Sequence, residues 1–105
     1  MNILFVCSRN QWRSPTAEAI YKNNPEHQVQ SAGTEPSARI KITEKLINWA
    51  DLIFVMEKKH KQRLQERFAT TIEDKEVIIL DIPDDYHFMD EELVELLKIS
   101  VSQYL

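Results

Sequence analysis

Four short apolar runs, alternating with longer stretches of helical periodicity, restrict what this chain of 105 residues can fold into. The runs are Asn2 to Val6, Gln28 to Ala32, Leu52 to Met56 and Val77 to Leu80, rich in Val, Ile and Phe. Such segments read as strands of a sheet covered on both faces. The first helical pattern spans Pro15 to Asn23, with Ser14 as the expected N-cap, Pro15 as first helical residue and Pro25 preventing continuation. Further helices are expected over Thr43 to Trp49, over Lys58 to Phe68, where His60, Leu64 and Phe68 recur at helical spacing, and from Asp90 onward. The last carries Leu93, Leu97, Val101 and Tyr104 on one stripe and places Asp90, Glu91 and Glu92 where the helix dipole favours negative charge. With right-handed crossovers this pattern predicts an α/β fold: one domain over residues 1–105, a small doubly wound four-stranded parallel sheet with four flanking helices, strand order 2-1-3-4.

Charge and cysteine usage narrow the partners. A net charge of −4 argues against nucleic acid and against an anionic membrane, while leaving room for a local cationic site. The single cysteine makes no internal disulfide. "MNILFVC" shows no basic leader, and its apolar run is too short for a signal or spanning segment, so a cytoplasmic protein is expected.

That one cysteine stands in "CSRNQWRS", Cys7 to Ser14, between the first strand and the first helix. In a doubly wound sheet, ligands bind beyond the carboxyl ends of the strands. A tight turn there directs backbone N–H groups at a common point, and with the helix dipole it forms a seat for a tetrahedral anion. The seat is Cys7, Ser8, Arg9, Asn10, Gln11, Trp12, Arg13 and Ser14. Arg13 adds a permanently charged fork matched to two phosphate oxygens. The same field favours thiolate over thiol at Cys7, and Ser14 can donate a hydrogen bond to it. A thiolate at the base of a phosphate seat is a nucleophile toward phosphorus, with no metal or cofactor required. Elsewhere a lone cysteine at a strand end is usually a small buried hydrophobe; C-x5-R-S between a strand and a Ser-Pro helix start favours the anion site.

Expulsion of a phosphoester leaving group calls for a proton. "LDIPDDYHFMD", after the fourth run, offers Asp81, Asp84 and Asp85 on the same edge of the sheet, and neighbouring carboxylates disfavour one another's ionisation. An acidic turn leading into a helix is the plainer reading of the same residues. His27, His60 and His87 show no metal-ligand spacing. His60 is expected on a helix surface or partly packed, and His87 lies near enough in sequence to tune the acid.

"VCSRNQWRSPTAEAIY" resembles the signature of the low-molecular-weight protein tyrosine phosphatases, and "SAGT" and "ADLIFVMEKKHKQRL" match their later segments. The resemblance implies Cys7 as nucleophile, Arg13 as phosphate clamp and Ser14 as thiolate partner, with Asn10 shaping the loop by hydrogen bonding to Ser31. The family's Asp-Pro-aromatic motif falls on Asp84-Asp85-Tyr86, with Asp85 where proline is expected, which implies Asp84 as general acid and later base, with Asp81 or Asp85 as alternatives; Tyr86 is read as a pocket wall or, equally, as core beside the helix. The chain departs from the family at Arg9, where glycine is usual, and at Trp12, where a second cysteine is usual and protects the nucleophile from over-oxidation. Arg9 and Trp12 are placed to line the entrance, or Trp12 to pack against the body. The segment from Glu35 to Trp49 is much shorter than its family counterpart, and Gly33 is the only glycine, so non-glycine residues must make the loop's turn. These features imply a phosphomonoesterase acting on phosphotyrosine in proteins or on small aryl phosphates. The alternatives are a non-catalytic phosphate- or phosphotyrosine-binding module, an arsenate reductase using an external thiol, and a phosphocarrier, which the Arg13 clamp argues against.

Overall fold

Residues Ile3 to Val6 are apolar because neither side of them meets water: each is 0% exposed. They lie in β1 (Asn2–Cys7), the first of four strands in the computed structural model, which describes all residues from Met1 to Leu105. The chain continues through α1 (Arg13–Tyr21), β2 (Gln28–Gly33), α2 (Glu44–Trp49), β3 (Leu52–Val55), α3 (Lys58–Arg67), α4 (Ala69–Ile72), β4 (Glu76–Ile79) and α5 (Glu91–Ser102). All strand pairs are parallel, in the expected order β2-β1-β3-β4.

The period-two geometry of a strand divides the core into two layers. Ile3, Phe5 and Cys7 face Ala17 of α1 and Leu93, Leu97 and Val101 of α5, while Leu4 and Val6 face Ile47 of α2, Leu64 of α3 and Ile72 of α4. Phe5 stacks on Phe54 with ring centroids 5.3 Å apart. Cys7 therefore ends the strand on the α1 and α5 side, within one residue of the loop that enters α1.

Three local expectations are corrected. The first helix begins at Arg13, with Trp12 as its N-cap and no side-chain capping bond; the Ser14 hydroxyl is drawn inward to Cys7 and Asn10 instead. A fifth, single-turn helix, α4, follows Phe68, at which α3 stops. His60 is not at the surface but 0% exposed, because its ring closes a capping box with Glu57 at the start of α3. The other ends agree closely: Thr43 caps α2 through its side chain, and Asp90 caps α5 by accepting from the N–H groups of Glu92 and Leu93.

Gly33 is required for a steric reason. A Cβ there would lie 2.6 Å from the carbonyl oxygen of Ser8, 2.7 Å from Cβ of Ala38 and 2.9 Å from the backbone nitrogen of Asn10. Two of these are backbone atoms of the loop after β1, so a side chain would push that loop off the sheet edge. Gly33→Ala is expected to cost roughly 1–3 kcal/mol in denaturant unfolding, as overpacking typically does, and to weaken phosphate binding at the loop. Wild-type stability and affinity in this variant would contradict the assignment.

Candidate active site

The loop from Cys7 to Trp12 is shaped from outside. The carbonyl of Cys7 accepts from the N–H of Thr34 (3.0 Å), that of Ser8 from Glu35 (2.8 Å) and that of Arg9 from Arg39 (3.0 Å). The carbonyl of Asn10 accepts from Nε of Arg39 (3.1 Å). In a trans peptide the N–H points opposite to the carbonyl, so four outward carbonyls turn the N–H groups of Ser8, Arg9, Asn10 and Gln11 inward. One of these is visible in use: the N–H of Asn10 donates to Sγ of Cys7 at 3.3 Å. The shortened segment after β2 thus braces the loop, and it is itself held by Arg63 on Glu35 and Arg67 on the carbonyl of Thr34.

Without glycine, the turn is made by Asn10 in the left-handed region at φ 56°, where asparagine is tolerated better than most residues. Its side-chain amide donates to Ser14 Oγ at 2.8 Å and to Ser31 Oγ at 2.9 Å. Ser31 passes its own hydrogen to Glu18 of α1. Ser14 Oγ lies 3.0 Å from Cys7 Sγ. With its oxygen accepting from Asn10, the one Ser14 hydrogen has two acceptors in reach, Cys7 Sγ and the carbonyl of Ala32 at 3.4 Å; donated to a Cys7 thiolate, it favours that charged form. Asn10 and Ser31 are thus together, as the resemblance implied; Glu18, at the far end of the chain of hydrogen bonds, carried no signal in sequence beyond being an acidic residue in a helix.

Arg13 is buried, 2% exposed, and its NH1 donates to Glu57 at 2.5 Å and to the carbonyl of Ile82 at 2.8 Å. Those bonds use both hydrogens of NH1 and leave the edge formed by Nε and NH2 to meet an anion in the bidentate manner guanidinium favours. Burial raises the Glu57 carboxyl, but the hydrogen bond and charge of Arg13, with Lys59 and His60, outweigh it and hold the group below its usual pKa. Glu57 went unnoticed in sequence because the pairing spans 44 residues.

The cradle is lined by Cys7, Ser8, Arg9, Gln11, Trp12, Arg13 and Asp84. Of the three candidate carboxylates only Asp84 is among them, its Oδ1 3.6 Å from Nε of Arg13. Asp81 lines a separate hollow with Glu57, Lys58, Lys59 and Pro83, and Asp85 is exposed beside it in sequence. Trp12 stands at the entrance with its ring edge-on to His87, centroids 4.9 Å apart. His87 thus meets the rim tryptophan. Tyr86 is half-buried against the α1 and α5 core and is not one of the cradle residues.

Comparison with known proteins agrees with this geometry. The model of the family "Low molecular weight phosphotyrosine protein phosphatase" matches residues 2–47, which hold β1, the loop, α1 and β2. Over that part, which carries the cradle loop, the chain is similar to that family. A protein-arginine-phosphatase of Bacillus subtilis (strain 168) is 33% identical over 66% of this chain, and the chain spans 64% of the length of that curated relative. Among solved structures, the YwlE arginine phosphatase, in a cysteine-to-serine mutant with a phosphorylated active-site serine, is 27% identical. That match covers 98% of this chain and 95% of the other with a TM-score of 0.75. The tyrosine phosphatase Wzb of Escherichia coli K30, in complex with phosphate, shares the fold at a TM-score of 0.79 and 23% identity, covering 98% and 94%. No helix of the chain is long and apolar enough to cross a membrane.

Acid stability follows from the ring behind the loop. Burial first, and then the charge of Arg13, push His60 down from 6.5 to about 4. Between those values the unfolded chain binds a proton at this residue that the folded chain does not, so stability falls as pH is lowered through that window. Glu57 acts lower, contributing stability above 4.5 that is lost as its carboxylate is protonated. His60→Gln keeps an acceptor for the capping box and removes the titration. From about pH 7 to about pH 5 its melting temperature should fall less than that of the wild type; parallel declines would contradict the assignment.

Proposed function

We propose that this protein is a cysteine-dependent phosphatase that hydrolyses phosphorylated residues of proteins through a cysteinyl-phosphate. The observation that carries the reading is the convergence of Cys7 Sγ, the inward N–H groups and the free edge of Arg13 on one cradle that also holds Asp84.

The Cys7 thiolate attacks phosphorus in line, forming the S–P bond as the bond from phosphorus to the leaving oxygen breaks. Arg13 and the loop N–H groups carry the charge on the three equatorial oxygens. Asp84 gives its proton to the departing oxygen. It then takes a proton from water, whose oxygen attacks the phosphocysteine. The S–P bond breaks, phosphate leaves and the sulfur returns as thiolate stabilised by Ser14 and the N–H of Asn10. The Asp84 carboxylate is exposed and only loosely paired with Arg13, so it is free to follow the leaving group.

The rim favours phosphotyrosine. Trp12 offers an aromatic face to a substrate ring, and the exposed cationic Arg9 suits acidic surroundings. Phosphoarginine is the second reading, favoured by the name of the 33% identical relative. Arg9 beside the cradle opposes a substrate that keeps guanidinium charge.

Steady-state hydrolysis of one peptide carrying phosphotyrosine or phosphoarginine at the same position tests both. The phosphotyrosine form should give the higher kcat/KM, and Cys7→Ser should abolish turnover of either. Asp84→Asn should lower kcat on a poor leaving group by about 10²–10⁴-fold and accumulate phosphate on Cys7. A reduced, folded protein that binds phosphate and hydrolyses neither peptide would establish a binding module instead.

A further inference from the structure

Ser8 stands one residue past the nucleophile and lines the cradle, and its side chain has a partner that the reaction above does not use. Its Oγ lies 2.9 Å from Nε2 of His60. The other ring nitrogen, Nδ1, lies 3.0 Å from the backbone nitrogen of Glu57. A backbone N–H can only donate, so Nδ1 is the acceptor and carries no hydrogen. The ring is neutral near pH 7, since burial and the charge of Arg13 lower it to about 4. Its single hydrogen is therefore on Nε2, and Nε2–H donates to Ser8 Oγ.

The consequence falls on the serine. Its oxygen is engaged as an acceptor from the helix side, and its hydroxyl hydrogen has no acceptor in the protein. The hydroxyl rotates about its Cβ–Oγ bond, so that hydrogen is available to an anion in the cradle that Ser8 lines. His60 holds the backbone of Glu57 with its other nitrogen, so the residue that pairs with Arg13 and the hydroxyl of Ser8 are set by one buried ring.

We propose that His60 is a positioning residue that fixes the Ser8 hydroxyl as an uncharged hydrogen-bond donor to the bound phosphate, beyond the loop N–H groups and Arg13. The donor adds affinity for the anion without adding charge to a pocket that already holds a buried guanidinium. This inference takes its ligand from the phosphatase reading, and its test is by binding, so the two can fail separately.

Inorganic phosphate is titrated calorimetrically into the reduced full chain near neutral pH. Ser8→Ala, which leaves the capping box intact, should weaken phosphate binding about tenfold, as loss of a hydrogen bond to a charged group does. His60→Leu should weaken it at least as much, since the Glu57 bond is lost too, but should cost clearly less when placed in the Ser8→Ala protein. His60→Gln, whose amide presents an acceptor and a donor to the same two neighbours, should keep binding close to wild type. Unchanged phosphate affinity in Ser8→Ala would overturn the proposal. So would an equal loss from His60→Leu with and without Ser8, which is the mark of a merely structural residue. Phosphate binding that follows the expected pattern in a protein without turnover would support this inference while defeating the phosphatase reading.

Discussion

The constraint on which the site depends is the outward bonding of four consecutive loop carbonyls. An anion cannot be bound by backbone N–H groups unless the carbonyls on the same peptide units are satisfied elsewhere, because a buried unpaired carbonyl costs about as much as a lost hydrogen bond. The segment from Thr34 to Arg39 meets that demand with three backbone N–H groups and one guanidinium. This gives the shortened stretch after β2 a specific task. What it lacks as a wall of the cleft it supplies as a brace, and Gly33 lets it come close enough to do so.

A second dependence runs through the start of α3. A guanidinium as buried as Arg13 would be costly alone, since an uncompensated buried charge typically costs on the order of 3–5 kcal/mol. Glu57 offsets it while remaining partly exposed, so its own desolvation is moderate. The pairing also orients the fork, leaving one edge for the ligand. Helix α3 is fixed at its first turn by the Glu57 and His60 capping box, so the same local motif that starts the helix positions both partners of the loop. Capping, charge compensation and ligand geometry are one arrangement here.

Particular residues show how much could be read from the chain. The runs that became β1 to β4 and the burial of Leu64, Leu93, Leu97 and Val101 were legible because strand and helix periods leave a direct mark on apolar spacing, and the strand order followed from the doubly wound crossover pattern. The cysteine, arginine and serine of the loop were legible because they are close in sequence and lie between a strand and a helix. The shaping of the loop by Asn10 came from the family resemblance; the chain itself said only that a non-glycine residue must make the turn, and the φ of 56° places it at Asn10. Ser14 as a helix cap did not hold, because a buried sulfur and the Asn10 amide compete for its hydroxyl. His60 as a surface or partly packed residue did not hold either, since it is fully buried; its neighbours in α3 are mostly charged, and nothing in the pattern showed that its two nitrogens would find partners there.

Local reading of the chain was enough for the α/β class and for the loop that bears the candidate chemistry, because these follow from periodicity and from residues within a few positions of one another; the strand order came from the crossover rule. Folding in three dimensions was needed to show which of Asp81, Asp84 and Asp85 lines the cradle, that Glu57 neutralises Arg13, that Tyr86 packs inward, and that His60 meets Ser8 across 52 residues. Those choices depend on where separate loops arrive at one sheet edge. That is set by the packing of α3 and α5 against the strands, and no local spacing in the chain encodes it.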